Sequence, residues 1–348
     1  MAKGPVRMGV IGLGMGAGHA AAYQALPDAE LTAICDVSEP WLAHCREQWR
    51  VPRAFTDAAE LLACPEVDAV SVAVPTHLHA TVTLAALQAG KHVLVEKPMA
   101  AGATEGREMA RAARAAGRVL MVSYNQRFGA DVQYLKRAID EGHLGRLYFA
   151  RAVWRRPLGM LPPPVASRPT GPYDRNWFNE AVRGGGVALD LGSHVLDLAL
   201  WLMGFPPVAE VSGCTYAMFG PKWAQAQGAT FDADDHTVGF VRFATGASLQ
   251  VEVSFGSHTD REVIEIELFG SEGGALRRSG QPLRLFSSWA GAYTVLEPRL
   301  GEPGSSPQAE FVSSIREGRE PLCTAEQGVA ALEVIDGLRA GGPPVRTV

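Results

Sequence analysis

The sequence feature that most constrains the fold is a short apolar strand that runs into a glycine-rich turn near the N-terminus. The strand is predicted at Val6–Ile11, the turn begins at Gly12 and Gly14, and residues 20–26 are compatible with a helix. Gly12 permits a tight turn, Gly14 lets the backbone approach a pyrophosphate, and the helix N-terminus offers unpaired N–H groups. This order is typical of a dinucleotide-binding unit, with Ala17 at the third position of G-x-G-x-x-G, although the glycine motif alone is a weak signal.

A second predicted strand, residues 31–36, ends in an acidic residue. Asp36 follows the glycine turn at the distance where a carboxylate accepts hydrogen bonds from the adenosine ribose and repels a 2′-phosphate. We therefore predict NAD as cofactor, because no arginine immediately follows Asp36. NADP stays open as the less favoured option, since the arginines at positions 46, 50 and 53 are near enough in sequence to reach back to a 2′-phosphate. The alternative is a solvated aspartate that merely ends a strand.

Composition bounds the class of protein. The chain has 348 residues, of which 47% are hydrophobic and 20% charged, and its net charge is −5. This predicts two domains with large cores and argues against nucleic acid as a partner. The five cysteines lack metal-finger spacing, which favours reduced thiols, a cytoplasmic location and no bound metal. We expect neither a signal peptide nor a membrane span, since the most apolar stretch, 187–205, contains three ionisable side chains.

The hydrophobic pattern predicts an α/β protein with two different sheets. Apolar strands alternate with helices up to about residue 124, which is typical of a doubly wound parallel sheet, that is, a Rossmann domain over 1–124. Strands of alternating polarity then predict a second α/β domain over 125–324, with an open, largely antiparallel sheet that serves substrate binding and oligomerisation. A final helix at about 325–340 is expected to pack on the first domain. The proline-rich stretch 157–175 is a lid, an oligomer arm or a surface excursion without function.

Polar side chains are predicted at the carboxyl ends of the parallel strands, where such sheets bind ligands. Lys97, which a proline follows, can direct an ammonium group at a substrate oxygen, or it is simply a surface lysine in a loop. His77 and His79 lack a third metal ligand, so a hydrogen-bonding role is favoured over metal binding. The predicted cofactor contacts are Gly12, Gly14, Met15, Asp36, Pro75, Thr76, His79, Glu96, Lys97 and Asn125.

A second candidate site lies in the stretch from Gly184 to Asp197. If a helix begins near Leu189, Asp190 and His194 lie one turn apart on the same face. A carboxylate in that position can hold an imidazole in one tautomer and support its role as a proton acceptor. The alternative is a buried structural histidine. Asp197 is predicted to be structural, bonded to backbone or to His194.

Six motifs, in this order along the chain, resemble those of one enzyme family. They are Gly12-Leu13-Gly14 with Asp36, Pro75-Thr76-His77-Leu78-His79, Glu96-Lys97-Pro98, Asn125-Gln126-Arg127-Phe128, Gly184-Gly185-Gly186 with Asp190-x3-His194, and Phe269-Gly270-Ser271-Glu272-Gly273. Together they resemble the glucose-fructose oxidoreductase, inositol dehydrogenase and rhizopine catabolism (Gfo/Idh/MocA) family. The resemblance implies a nicotinamide-dependent oxidoreductase of a sugar or polyol, a homodimer or homotetramer, and a catalytic set at Lys97, Asp190 and His194. The compressed spacing from Gly14 to His19 departs from the family pattern and affects the phosphate contacts.

The working hypothesis is reversible hydride transfer between a secondary hydroxyl and the nicotinamide. His194 is the expected base, Asp190 supports it, and Lys97 stabilises the developing alkoxide. A sugar pocket is expected from four further residues, while Trp154 and Trp201 are expected in the core; the four are Arg127, Arg155, Tyr173 and Trp177. Two alternatives remain: a glycosidase that retains NAD and oxidises its substrate transiently, and a non-catalytic NAD-binding sensor or regulator.

Overall fold

A computed structural model describes residues 4–160, 176–226, 228–302, 304–341 and 345–346. Tyr173 and most of the proline-rich stretch lie outside the described residues. The described chain forms two compact units. The first contains the chain up to Tyr124 together with Ser305–Val329, and the second contains most of the remainder.

The first unit is built on a six-stranded parallel sheet with the order β3-β2-β1-β4-β5-β6. Its central strands are apolar on both faces and almost wholly buried, as expected for a sheet covered by helices on both sides. The strands are β1 Val6–Ile11, β2 Ala29–Cys35, β3 Arg53–Phe55, β4 Ala69–Val72, β5 His92–Val95 and β6 Leu120–Val122. The order reverses at β1 and β4, which is where a doubly wound sheet opens a crevice for a dinucleotide.

Helices alternate with these strands, and local sequence accounts for several of their ends. They are α1 Gly16–Ala25, α2 Glu39–Trp49, α3 Ala58–Ala63, α4 His79–Gln88 and α5 Ala103–Ala116. The Asp57 side chain accepts a hydrogen bond from the Ala59 amide at 2.8 Å and so begins α3. Gly117, at φ 61°, ends α5 in the left-handed conformation that glycine adopts without strain.

The glycine turn between β1 and α1 requires two of its glycines. Gly12 has φ 86°, and a Cβ atom there would lie 2.6 Å from the carbonyl oxygen of Ala73. A Cβ atom at Gly16 would lie 2.8 Å from Val10 Cγ1, so this glycine permits the close packing of α1 on β1. The packing role that the motif assigned to position 17 is therefore performed by Gly16, the first residue of α1.

The second unit contains a nine-stranded sheet with the order β14-β13-β12-β11-β7-β10-β9-β8-β15. Its neighbours pair antiparallel except for two parallel pairs, β7 with β10 and β8 with β15. The strands are β7 Leu147–Pro157, β8 Val208–Ala217, β9 His236–Phe243, β10 Ser248–Ser257, β11 Val263–Gly270, β12 Gly273–Arg278, β13 Arg284–Trp289, β14 Ala292–Leu296 and β15 Val345–Arg346. The α/β class and the largely antiparallel second sheet are confirmed.

Among the described residues of the second unit, helix α6, Ala130–Asp140, precedes the sheet in the chain. Helices α7, Val187–Leu202, and α8, Gly220–Gln225, lie between its strands. Helix α7 packs across β7 and β10. The strand residues that face it are apolar, such as Ala152, Val253 and Ile266, all buried. Alternate residues on the opposite face are charged and pair across strands, as Arg151 does with Glu267 at 2.8 Å.

The C-terminal helices divide between the units. Helix α9, Pro307–Glu317, belongs to the first unit rather than to the predicted 125–324 domain. Helix α10, Ala325–Arg339, groups with the first unit only up to Val329, although the whole helix was predicted there. The C-terminal part of α10 packs closely on the second sheet, because a Cβ atom at Gly337 would lie 2.8 Å from Val211 of β8. None of the helices in the described ranges is both long and apolar enough to cross a membrane.

Candidate active site

Helix α7 carries both candidate proton-transfer residues, and burial distinguishes them from the rest of the helix. Fourteen of its sixteen residues are buried, and the two exceptions are Asp190 and His194. They lie one turn apart on the same face, as the sequence predicted. An apolar helix therefore opens to solvent only at a carboxylate and an imidazole.

The start of α7 is held by residues that the sequence reasoning missed. Gly186 has φ 101°, and a Cβ atom there would meet Asp234 Oδ1 at 2.2 Å. Asp234 Oδ2 accepts a hydrogen bond from the Ala188 amide at 2.8 Å, so a carboxylate from the chain before β9 caps this helix. Its neighbour Asp235 accepts from three successive amides, of Met218, Phe219 and Gly220, at the start of α8. A carboxylate that caps a helix so distant in sequence leaves no local motif.

A buried ion pair lies one turn beyond His194 on helix α7. Asp197 accepts from Arg127 Nε at 2.9 Å and from Nη2 at 2.5 Å. The arginine is fully buried, with its guanidinium 5.3 Å from the ring centres of both Trp201 and Phe205. Burial raises the pKa of the Asp197 carboxyl and Arg127 opposes that rise. Asp197 is thus structural, as predicted, but its partner is Arg127 rather than His194. Arg127 is fully buried in this pair and does not line the predicted sugar pocket.

Strand β7 contributes an aromatic neighbour to His194. The rings of Trp154 and His194 lie 5.4 Å apart, centre to centre. Glu262 accepts from Trp154 Nε1 at 2.8 Å and from Arg156 Nε at 3.0 Å, which fixes the indole. Trp154 was expected in the core, but it is only half-buried and contacts the proposed base.

Arg155 lies on the other side of the sheet. Successive strand residues point to opposite faces, so Arg155 faces away from α7 if Trp154 faces it. It pairs there with Glu252 at 2.9 Å. Arg155 therefore does not lie on the side of the sheet where His194 lies, contrary to its predicted place in a sugar pocket.

Two further predicted residues lie in short 3-10 helices. Trp177 is half-buried in Asn176–Asn179, and Asn125 is exposed at the start of Asn125–Phe128.

The acidic residue after β2 is bound to the glycine turn of the first unit. Asp36 is buried; its Oδ2 accepts from the Leu13 amide at 2.7 Å and its Oδ1 from the Ser38 amide at 2.9 Å. Trp41 Nε1 donates to the Leu13 carbonyl oxygen at 3.0 Å, which anchors the same turn from α2. The carboxylate of Asp36 therefore holds the glycine turn and the start of the segment that leads into α2.

Glu96 and Lys97 follow β5 at the carboxyl edge of the parallel sheet. Glu96 Oε1 lies 2.9 Å from His19 Nε2, and Oε2 accepts from the Lys97 amide at 3.2 Å. Hydrogen bonds from His19 and Ser123 and the nearby charge of Lys97 outweigh burial and lower the Glu96 pKa to about 2. The residue before the proposed catalytic lysine is therefore an anion at any physiological pH.

His79 holds the other side of the Lys97 loop. Its two ring nitrogens lie 2.8 Å from the carbonyl oxygens of Val74 and Pro98, which belong to the loops after β4 and β5. The side chain is buried, and burial lowers its pKa. Thr76 is buried as well. The His79 side chain, which was predicted as a cofactor contact, instead joins these two loops. The Thr76 side chain, also predicted as a cofactor contact, is enclosed by the protein.

The carboxyl edge of this unit has the features that NAD requires. The turn carries the positive φ and close approach at Gly12, while Gly14 and Met15 are exposed beside the N-terminus of α1. Asp36 places a carboxylate at the end of β2, where ribose hydroxyls are predicted to bind, and the following residue, Val37, is exposed and uncharged. Pyrophosphate at Gly14 and ribose at Asp36 are thus the expected contacts. No group of three potential metal ligands occurs within the ranges that the structure covers.

Comparison with known families is consistent with both units. Residues 6–124 match the "Oxidoreductase family, NAD-binding Rossmann fold" model of Gfo/Idh/MocA proteins, and residues 132–276 match the "GFO/IDH/MocA C-terminal domain" model. The chain belongs to the Gfo/Idh/MocA family. As a member of this family it is an NAD(P)-dependent oxidoreductase with an NAD-binding Rossmann domain, so the predicted cofactor and enzyme class are confirmed.

Named members of the family align with most of this chain. D-glucoside 3-dehydrogenase of Escherichia coli K12 is 31% identical over 79% of this chain and 78% of the relative. Myo-inositol 2-dehydrogenase of Thermotoga maritima is 29% identical over 94% of this chain and 93% of the relative. A solved levoglucosan dehydrogenase in complex with NADH and levoglucosan superposes with TM-score 0.83 over 97% of this chain and 96% of that one, at 23% identity, which shows a common fold.

Proposed function

We propose that this enzyme oxidises a secondary hydroxyl group of a sugar, inositol or related polyol, or reduces the corresponding carbonyl group. The family supplies the reaction class, and the relatives that act on a glucoside and on myo-inositol support the substrate class. The observation that carries the proposal is helix α7, whose only two incompletely buried residues are Asp190 and His194.

In this mechanism His194 accepts the proton of the substrate hydroxyl. Asp190, one turn earlier, supports the imidazolium that forms. The Lys97 ammonium donates a hydrogen bond to the same substrate oxygen as negative charge develops on it, a contribution of about 3 kcal/mol in a dry site. The bound NAD supplies the hydride acceptor. The products are a carbonyl compound, NADH and a proton.

The test is a screen of inositols, aldoses, ketoses, sugar acids and glucosides for NAD reduction at 340 nm. Once a substrate is found, His194→Ala is expected to lower kcat by at least ~100-fold and to leave the Kd for NAD unchanged. His143→Ala is the matched control, because His143 is an exposed histidine of the same unit. Lys97→Met is compared with Lys222→Met in the same way. A kcat for His194→Ala equal to that of the control rejects the assignment of the base.

The same screen separates the two alternative functions. A glycosidase that retains NAD would release free sugar from a glucoside with no net change in absorbance at 340 nm. A sensor would bind NAD but turn over none of the compounds. The Asp190 and His194 pair favours a catalytic function over sensing, because binding alone needs no proton acceptor.

We also propose that the enzyme is a cytoplasmic homodimer or homotetramer. Support for assembly comes from the sheet face opposite α7, where side chains such as Arg278 and Glu265 pair across strands and Phe240 is 43% exposed. Support for the location comes from the five cysteines, all of which are free thiols. Light scattering after size-exclusion chromatography tests the oligomeric state, and a mass equal to one chain would reject it.

A further inference from the structure

A chain of polar side chains runs through the otherwise apolar interior of the first unit. Ser71 is the single hydroxyl residue of the buried strand β4, and its Oγ lies 2.7 Å from the Tyr23 hydroxyl and 3.1 Å from His19 Nδ1. His19 Nε2 in turn lies 2.9 Å from Glu96 Oε1. Ser71 and Tyr23 are fully buried, and His19 nearly so. Four polar residues from α1, β4 and the loop after β5 therefore connect the interior side of α1 with the loop that carries Lys97.

The chemistry of the residues at its two ends decides which atom donates in each hydrogen bond of this chain of polar side chains. The Glu96 carboxylate has only acceptor atoms, so the proton between it and His19 is carried by Nε2. At the far end, burial raises the pKa of the Tyr23 phenol, which therefore remains a donor. Ser71 accepts from Tyr23 and donates to His19 Nδ1. In this arrangement every hydrogen has an acceptor, with a proton of His19 on Nε2 and Nδ1 as the acceptor of the Ser71 hydroxyl.

We propose that Tyr23, Ser71 and His19 are positioning residues that fix the Glu96 carboxylate and, through its bond to the Lys97 amide, hold Lys97 in place for catalysis. Glu96 Oε1 is oriented by His19, which leaves Oε2 directed at the Lys97 backbone. Without the histidine, only Ser123 of the side-chain donors named for Glu96 remains, so the carboxylate is less restrained about its terminal bond and the Lys97 amide holds its acceptor less firmly. Because a shift of about 1 Å at a reacting group costs up to ~100-fold in rate, this restraint acts on kcat. The inference rests on the proposed role of Lys97.

The first test measures the histidine tautomer in the unliganded protein and needs no substrate. Protein labelled with ¹⁵N-histidine is examined by long-range ¹H–¹⁵N correlation, and His19 is assigned from the signal missing in His19→Gln. The expected spectrum shows a proton on Nε2 and an acceptor at Nδ1, and in Ser71→Ala the Nδ1 shift is expected to change because its donor is lost. A proton on Nδ1, or a spectrum unaffected by Ser71→Ala, overturns the proposed chain of hydrogen bonds.

The second test compares kcat with KM on the substrate found in the screen. Ser71→Ala and Tyr23→Phe are expected to lower kcat at least ~fivefold, the equivalent of one lost hydrogen bond, with KM little changed. Ser314→Ala is the matched control, since it removes another fully buried serine hydroxyl, in α9. His19→Gln, which keeps an N–H donor near Glu96, is expected to retain more activity than His19→Leu. All variants are checked by circular dichroism for folding.

Each result has a definite meaning. Wild-type kcat in folded Ser71→Ala and His19→Leu overturns the proposal, as does equal loss in His19→Gln and His19→Leu. If the wild-type protein turns over no sugar or polyol, the proposed function fails, while the tautomer measurement still decides whether the chain of hydrogen bonds from Tyr23 to Glu96 exists.

Discussion

The buried pair of Arg127 and Asp197 leads to an asymmetric and pH-dependent prediction. Removing one member of a buried ion pair costs about 3–5 kcal/mol, because the remaining charge loses its partner in a region without water. Both residues are essentially unexposed. We therefore expect Asp197→Asn and Arg127→Met each to lower the free energy of unfolding at pH 7 by an amount in that range, out of a typical total of about 5–15 kcal/mol.

The two variants should respond differently to pH. In Asp197→Asn the orphaned guanidinium cannot lose its proton, so the loss persists at every pH. In Arg127→Met the orphaned carboxyl can take up a proton, since burial raises its pKa above the unfolded value of 3.8. A raised folded-state pKa means that stability is greater at low pH and falls as pH rises through that pKa. The destabilisation by Arg127→Met relative to Asp197→Asn is therefore expected to shrink from pH 8 to pH 5.

Urea unfolding followed by tryptophan fluorescence measures these effects, with Trp201 next to the pair as a local reporter. The double variant Arg127→Met with Asp197→Leu removes both charges and is expected to recover most of the loss. The reasoning is refuted if either single variant costs under about 1 kcal/mol, or if Arg127→Met has the same pH dependence as Asp197→Asn.

Four further changes follow from the described contacts. Asp234→Ala should lower stability by about 1–2 kcal/mol through loss of the α7 cap, and also lower kcat, as thermal melting and turnover would show. Gly12→Ala, which meets the Ala73 carbonyl at φ 86°, should cost about 1–3 kcal/mol and abolish detectable NAD binding by titration. Asp36→Ser should shift the ratio of the Kd values for NADP and NAD by roughly 10-fold towards NADP. Glu96, whose pKa is lowered from 4.5 to about 2, contributes about 3 kcal/mol above pH 4.5 that is lost as the pH falls to 2; Glu96→Gln should lack this acid-dependent loss in urea titrations at pH 7 and 3.

Sequence reasoning located the strands and helices of the first unit because its signals are local. An apolar run predicts a buried strand, as at His92–Val95, and a glycine with positive φ marks a turn, as at Gly12. The spacing of Asp190 and His194 likewise needs only the period of a helix. The family motifs gave the enzyme class, since several weak patterns in a fixed order are jointly specific.

The features of the site that the sequence did not predict depend on contacts between residues distant in sequence. Nothing near Arg127 identifies Asp197 as its partner, so an arginine at a strand end was assigned to substrate. Trp154 and Arg155 are adjacent, and only strand pairing decides which of them faces α7. His79 was expected at the cofactor because it follows β4, yet two carbonyl groups enclose it.

Adjacent residues Asp234 and Asp235 serve two helices from opposite sides of one backbone segment, and this limits how the protein can be re-engineered. Adding or deleting one residue just before β9 would exchange the two carboxylates, so that each would face the wrong amides. Segments grafted from relatives to change substrate preference should therefore keep this dipeptide in register and take their junctions in the connections on either side of it.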